Sequence, residues 1–249
     1  ENNGNYVKTG AGAVEATGTF VNTGTVRTEG SGRMIFSGTL DNRGKLEARG
    51  ARIDVRGALP QWSASGRRLA GGTYIANGNV IALDLGGTLG ISRNAARIEL
   101  RGADARLLNN HGGVDRNALA GLSANDGTLR LLSGASLTTT PGMENYGTVQ
   151  VGAGSTLHIG GRYRQSLNGQ TWIDGVLQAA SFEVAGGLWG AGLNGTVGHA
   201  TLDAAQVRLT AGRLDVDILA AEPPGDLGDV APRQVRFGAR VHLDGEPAC

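Results

Sequence analysis

Apolar and polar residues alternate in short runs along most of the chain. Arg52-Ile53-Asp54-Val55-Arg56, Arg97-Ile98-Glu99-Leu100-Arg101 and Gln206-Val207-Arg208-Leu209 each place apolar side chains on one face and polar ones on the other. That is the period of a half-buried β strand. The runs are about four to six residues long and stop at Gly, Asn, Asp or Ser, which supply the backbone conformations that turns need. Apolar spacing suited to a helix is scarce; Asn117 to Ser123 is the stretch that fits one short helical turn. The pattern predicts an all-β chain.

The strands recur in register. An Asn-x-Gly-x phrase followed by an alternating run stands at Asn2-Asn3-Gly4-Asn5-Tyr6-Val7, again at Asn22-Thr23-Gly24-Thr25-Val26, and again at Asn42-Arg43-Gly44-Lys45-Leu46. A fourth copy is Asn145-Tyr146-Gly147-Thr148-Val149. The first three are 20 residues apart. A unit of that size, with two or three short strands, is one coil of a solenoid, which buries its apolar side by stacking on its neighbours. An antiparallel sandwich shares the short strands and close turns but gives no reason for a fixed register. The expected fold is a right-handed parallel β-helix of about 20-residue coils, with about twelve coils and a length of about 50 to 60 Å.

Residues 1–221 read as the rod. Two stretches, 59–71 and 109–126, break the rhythm and are expected to project as loops. Residues 222–249 hold Pro223, Pro224, Pro232 and Pro247, four of the six prolines in the chain, and read as a terminal cap or linker.

Composition sharpens this picture. Of 249 residues, 43 are Gly and 4% are aromatic, which suits many corners around a narrow interior where large rings would distort the coil. The 40% hydrophobic content argues against wholesale disorder, and a net charge of +1 gives no nucleic-acid footprint. No apolar run approaches the length of a membrane-spanning helix. Cys249 has no partner in the chain, so no internal disulfide is expected. The first residue is Glu1 rather than Met, with no leader ahead of it, and the chain reads as a processed or excised segment.

Candidate chemistry is sparse. His111, His158, His199 and His242 lack metal-ligand spacing, and no cofactor motif is present. His158 alternates outward as a solvated strand residue. The stretch from Arg93 to Arg116 holds Arg93, Arg97, Arg101, Arg106 and Arg116 beside Glu99, Asp104 and Asp115. It is either a solvated mixed-charge face or a patch whose guanidinium forks pair with sulfate or carboxylate on a glycan. The candidate ligand contacts are Arg97, Arg101, His111 and Arg116. Tyr163, Trp172 and Trp189 either form a sugar platform, or Trp172 and Trp189 pack near the C-terminal end of the rod. Asp203, Asp215 and Asp217 are the carboxylates closest to a hydrolytic cluster, although Leu214 to Ile218 reads equally as a strand with an acidic outer face.

The stretch Asn145-Tyr146-Gly147-Thr148-Val149-Gln150-Val151-Gly152-Ala153-Gly154-Ser155-Thr156-Leu157 runs into Tyr163-Arg164-Gln165, Gly175-Val176-Leu177-Gln178-Ala179 and Gly186-Gly187-Leu188-Trp189-Gly190-Ala191-Gly192. It resembles the repeat phrase of bacterial autotransporter passengers and filamentous-haemagglutinin-like surface adhesins. Phe20 to Val26 and Leu69 to Tyr74 fit a second unit of such proteins. The resemblance implies a right-handed β-helix, secretion to the bacterial cell surface, and a non-catalytic display or adhesive role toward host or matrix glycans or surface proteins. It also implies further repeats or an anchoring domain outside this segment. No catalytic residues come with the repeat. The alternative is a carbohydrate-active β-helix, a polysaccharide lyase or hydrolase, or a glycan-binding module.

Overall fold

The computed structural model describes residues 1–191 and the strands Thr201–Asp203, Val207–Leu209, Arg213–Asp215 and Val241–Leu243. The chain forms a parallel β-solenoid of about nine turns, with no helix among the described residues. Each coil runs through three walls, because each short apolar-alternating run is followed by a turn residue that redirects the chain.

The first wall stacks Asn5–Lys8, Thr25–Thr28 and Lys45–Ala48, then the second half of Arg68–Asn77 and of Arg93–Arg101. Thr128–Leu132, Thr148–Val151, Gln170–Ile173, Leu188–Ala191 and Arg213–Asp215 continue it, all parallel. Its inward row is Val26, Leu46, Tyr74, Ile98, Leu129 and Val149, all buried. The second wall stacks Val14–Ala16, Met34–Phe36, Ile53–Val55, Val80–Leu83 and Arg106–His111. It resumes with Ser136–Thr139 and the first halves of Thr156–Gln165 and Val176–Val184. The third wall begins with Phe20–Asn22 on Leu40–Asn42 and later carries Met143–Asn145 and the second halves of Thr156–Gln165 and Val176–Val184.

The Asn-x-Gly phrase builds the corner between the third and first walls. Asn22 Nδ2 donates to Asn42 Oδ1 at 2.7 Å and to the Lys45 carbonyl at 3.0 Å. Asn94 and Asn125 repeat the link to Asn125 and Asn145, each at 2.8 Å. These amides are fully buried, so each needs its partners, and a stacked coil supplies them at the same place every turn. Two residues on, the coils approach so closely that a Cβ on Gly24 would run into the Gly4 carbonyl oxygen, and one on Gly44 into that of Gly24. At Gly24, Gly44, Gly127 and Gly147 this corner leaves no room for a Cβ, while after Asn94 the place is taken by Ala96.

The register is not constant. Along the first wall, Thr25 is followed at the same level by Lys45, Thr73, Arg97, Thr128, Thr148, Gln170 and Leu188, steps of 20, 28, 24, 31, 20, 22 and 18 residues. The long middle coils are one reason that about nine turns form rather than twelve. Residues 59–71 leave the wall as a small antiparallel pair, Trp62–Ser63 on the start of Arg68–Asn77. Residues 109–126 are not the projecting loop the sequence suggested. Arg106–His111 turns at Gly112 and Gly113, both with positive φ, and returns as Val114–Asn117, closing the second wall with an antiparallel edge. The stretch 117–123 makes two tight turns instead of a helical one, Ala120 N–H to the Asn117 carbonyl and Leu122 N–H to the Leu119 carbonyl.

The interior also accepts larger rings than expected. Phe36, Tyr74 and Tyr163 are among the largest fully buried side chains. Tyr163 shares a 2.5 Å hydrogen bond with the Thr171 hydroxyl, and burial raises its phenol well above the ordinary value. Of 222–249, the strand Val241–Leu243 pairs in parallel with Val207–Leu209; the remainder lies outside the described residues.

Candidate functional site

The outer face of the first wall carries the densest charge. Strand alternation sends Arg97, Glu99 and Arg101 outward, and parallel pairing sets Arg130 beside Glu99. Glu99 is nevertheless 0% exposed, because three guanidinium groups close over it. Arg97 Nη2 reaches Oε2 at 3.1 Å, Arg130 Nη1 reaches the same oxygen at 3.0 Å, and Arg101 Nε donates to Oε1. Burial pushes the Glu99 carboxyl up, but the hydrogen bonds from Arg101 and Arg97 and the charge of Arg130 outweigh it and hold the group below its ordinary value. One carboxylate neutralises only one of three arginines. Arg97 and Arg101 remain 46% and 39% exposed, so the surplus positive charge faces solvent. Earlier in the stack Lys45 pairs with Glu47 at 3.2 Å.

His111 and Arg116 are elsewhere. The hairpin carries them along the second wall, so the four candidate contacts do not form one group. His111 Nδ1 lies 3.0 Å from Asp84 Oδ1. Arg116 reaches the His111 and Val114 carbonyls at 3.5 and 3.3 Å, folded over its own turn. The hairpin is clasped from below: Arg52 Nη1 and Nη2 hold both oxygens of Asp115 at 2.5 and 2.7 Å, while Arg52 Nε holds Asp54 at 2.7 Å and Arg33 Nη2 holds it at 2.6 Å. Arg52 holds the Asp115 carboxyl below its ordinary value.

A third ladder runs along the outer face of the third wall, where Glu144, Arg164 and Glu183 stand in register. Arg164 spans Glu183 at 3.2 Å and Glu144 at 3.5 Å, and Arg162 spans the same two carboxylates at 3.2 and 3.7 Å. Tyr146, exposed, donates to Glu144 Oε2 at 2.6 Å, and that bond raises its phenol. An open cleft of about 460 Å³ lies beside it, lined by Tyr146, Arg164, Ser166, Leu167, Asn168 and Ala185.

The aromatic platform does not form. Tyr163 and Trp189 are core residues, and Trp172 alone of the three sits outward, in register with Gln150. His158 is outward, as alternation implied, and meets Gln178 Oε1 at 2.6 Å. Side chains of Asp203 and Asp215, and Asp217 altogether, lie outside the described residues. Among those described, no group of three or more His, Cys, Asp or Glu is placed to hold a metal ion, and no helix is long and apolar enough to cross a membrane.

Glu99, Arg130, Glu144 and Arg164 escaped the sequence reading as partners. Alternation gave Glu99 its outward place, but the pairings depend on coil steps of 31 residues from Glu99 to Arg130 and 20 from Glu144 to Arg164 that no local motif announces.

No family model, curated protein or solved structure matches the chain. What the structure shows is the fold, a β-solenoid.

Proposed function

We propose that this chain is a non-catalytic, extracellular stretch of a bacterial surface adhesin, a stiff β-helical stalk that presents its outer walls for attachment. The observation that carries this reading is the first wall, which runs in parallel register from Asn5 to Asp215. A stack of that kind is a rod whose every coil braces the next. The repeat phrase from Asn145 to Gly192 supports the bacterial-surface assignment. It is a display scaffold first.

The contact surface we favour is the outer face around Arg97 and Arg101, toward sulfated or uronate-bearing glycans of a host or matrix. Its support is the excess of guanidinium over carboxylate around Glu99 and the fit of a guanidinium fork to carboxylate and sulfate oxygens. The test is retention of the purified chain on immobilised heparin and polygalacturonate at about 50 and about 500 mM salt, where screening separates charge pairing from other contacts. Retention at low salt, lost at high salt and in the double variant Arg97→Glu, Arg101→Glu, is the expected result. Equal retention in both salts rejects the charged contact. Release of shortened oligosaccharides from either polymer rejects the non-catalytic reading in favour of a polysaccharide lyase or hydrolase.

A further inference from the structure

Two excursions from the rod meet at one place. The hairpin that starts at Trp62–Ser63 and the loop joining Val80–Leu83 to Arg93–Arg101 enclose a cleft of about 300 Å³. Trp62, Ala64, Leu85 and Leu89 give it apolar walls, and Arg67 and Thr88 are its polar side chains. Hairpin and loop are tied at both ends of the loop: Trp62 Nε1 donates to the Leu85 carbonyl at 3.0 Å and Arg67 Nε to the Gly90 carbonyl at 2.9 Å. The loop is also held by Asn109, which is fully buried. Its carboxamide accepts the Leu85 N–H at 3.2 Å and donates to the Gly87 and Leu89 carbonyls at 2.7 and 3.3 Å. The cleft is therefore built before anything enters it, which removes much of the ordering cost of binding.

Arg67 is the unusual residue. Arg43, Arg52 and Arg93 each meet a carboxylate, whereas Arg67 makes no ion pair among the described residues. Gly121 leaves room for its guanidinium: a Cβ there would lie 2.7 Å from Arg67 Nη2. Its backbone is held at a φ of 45°, in the left-handed region that residues with a side chain rarely adopt. The N–H groups of Ser92 and Arg93 hold it there by donating to its carbonyl at 2.9 and 3.2 Å. Strain kept in this way gathers at ligand clamps. Thr88 adds two donors, since neither its N–H nor its hydroxyl makes a hydrogen bond among the described residues. Leu89 is 63% exposed, so the apolar surface of the cleft is open to solvent.

We infer that this cleft is a binding site for a small apolar carboxylate, one aromatic or branched apolar group joined to a single carboxylate. The apolar group lies against Trp62, Leu85 and Leu89, and the carboxylate pairs with the Arg67 guanidinium, whose fork fits its two oxygens. A cleft of this size is at the small end of ligand sites and takes one ring. A sugar acid fits it less well, because ring hydroxyls set against Ala64, Leu85 and Leu89 would lose their water without gaining a partner. The site shares no residue with the outer face around Arg97 and Arg101, and the inference does not depend on an adhesive role.

The test follows the indole N–H signals of the 249-residue chain by NMR as phenylpropanoate is added, with Trp62→Phe identifying the Trp62 signal. Two control ligands divide the chemistry: phenylpropanol keeps the ring without the charge, and galacturonate keeps the charge without the apolar group. Saturable movement of the Trp62 signal is expected with phenylpropanoate, with the signals of Trp172 and Trp189 unmoved. Arg67→Gln is expected to weaken binding at least about tenfold, through loss of a charge-assisted pair. Leu89→Glu, a change at an exposed position that sets a competing carboxylate in the cleft, is expected to abolish binding with the melting temperature unchanged. A Trp62 signal that does not move overturns the inference, as does full binding by Leu89→Glu. Equal binding of phenylpropanol overturns it by removing the carboxylate from recognition, and tighter binding of galacturonate overturns it in favour of a glycan subsite.

Discussion

The first three coils and the middle of the rod solve the same stacking problem by different means. From Asn2 to Ala48 the chain advances by 20 residues per coil, the corner is Asn-x-Gly, and the amide relay is continuous. From Leu59 to Ser123 the step lengthens to 28, 24 and 31 residues. The relay stops at Asn42, Leu69 stands level with Asn94, and the extra residues leave as hairpins. The regular coils are held from inside, by buried amides and backbone contact. The irregular ones lean more on ion pairs laid over the outside, Arg52 on Asp115 and three arginines on Glu99. A solenoid with a short regular corner specifies itself locally; one with excursions needs long-range clasps.

The sharpest way to break this contrast is a methyl group. Gly44→Ala drives a Cβ into the Gly24 carbonyl and is expected to cost about 3 kcal/mol, the upper range for overpacking. Gly66→Ala, in the middle excursion, meets only Arg68 Cβ at 3.8 Å and Ser63 Oγ at 3.9 Å, so urea midpoints should separate the two clearly. Next in size is Asn22→Leu, which removes two donated bonds and leaves Asn2 Nδ2 without its Asn22 acceptor. Its expected cost is about 2 kcal/mol, seen as faster exchange in Thr25–Thr28.

Glu99 sharpens the comparison through pH. Its carboxyl sits below the ordinary value in the folded chain, so the stability it contributes is present above the unfolded value of about 4.3 and is lost as pH falls through the folded one. Denaturant titrations from neutral to acid pH should show a loss that Glu99→Gln reduces, with a neutral-pH cost of about 1 to 2 kcal/mol because the arginines can rehydrate. The smallest effect belongs to Asp115→Asn. An exposed pair is worth less than about 1 kcal/mol, so melting should barely move while the amides of 111–117 exchange faster.

These contrasts explain what could be read in advance. The 20-residue Asn-x-Gly spacing exposed the coil because both residues answer a local demand, a buried amide and a missing Cβ. Outward and inward faces followed from alternation. The hairpin at Val114–Asn117 was hidden because Asp115-Arg116-Asn117 carries no apolar alternation; its reason to be a strand is Arg52, 63 residues away from Asp115. That Tyr74 and Tyr163 fit inside was not legible, because the width of the interior is a property of three walls together. The Glu99 cluster was half legible: alternation gave the outward row, but burial of a charge on that row depends on Arg130, one coil further on.

Coil stacking has a mechanical consequence. Tension applied along the rod axis loads the interface between neighbouring coils, and an end coil, gripped on one side only, detaches first. Peeling then proceeds in discrete events, each releasing one coil's length of chain. A 20-residue coil frees about 70 Å of contour and the 31-residue coil about 105 Å. The spacing between force peaks would thus spell out the coil lengths in order, and a rod of this kind yields to pulling in instalments rather than all at once.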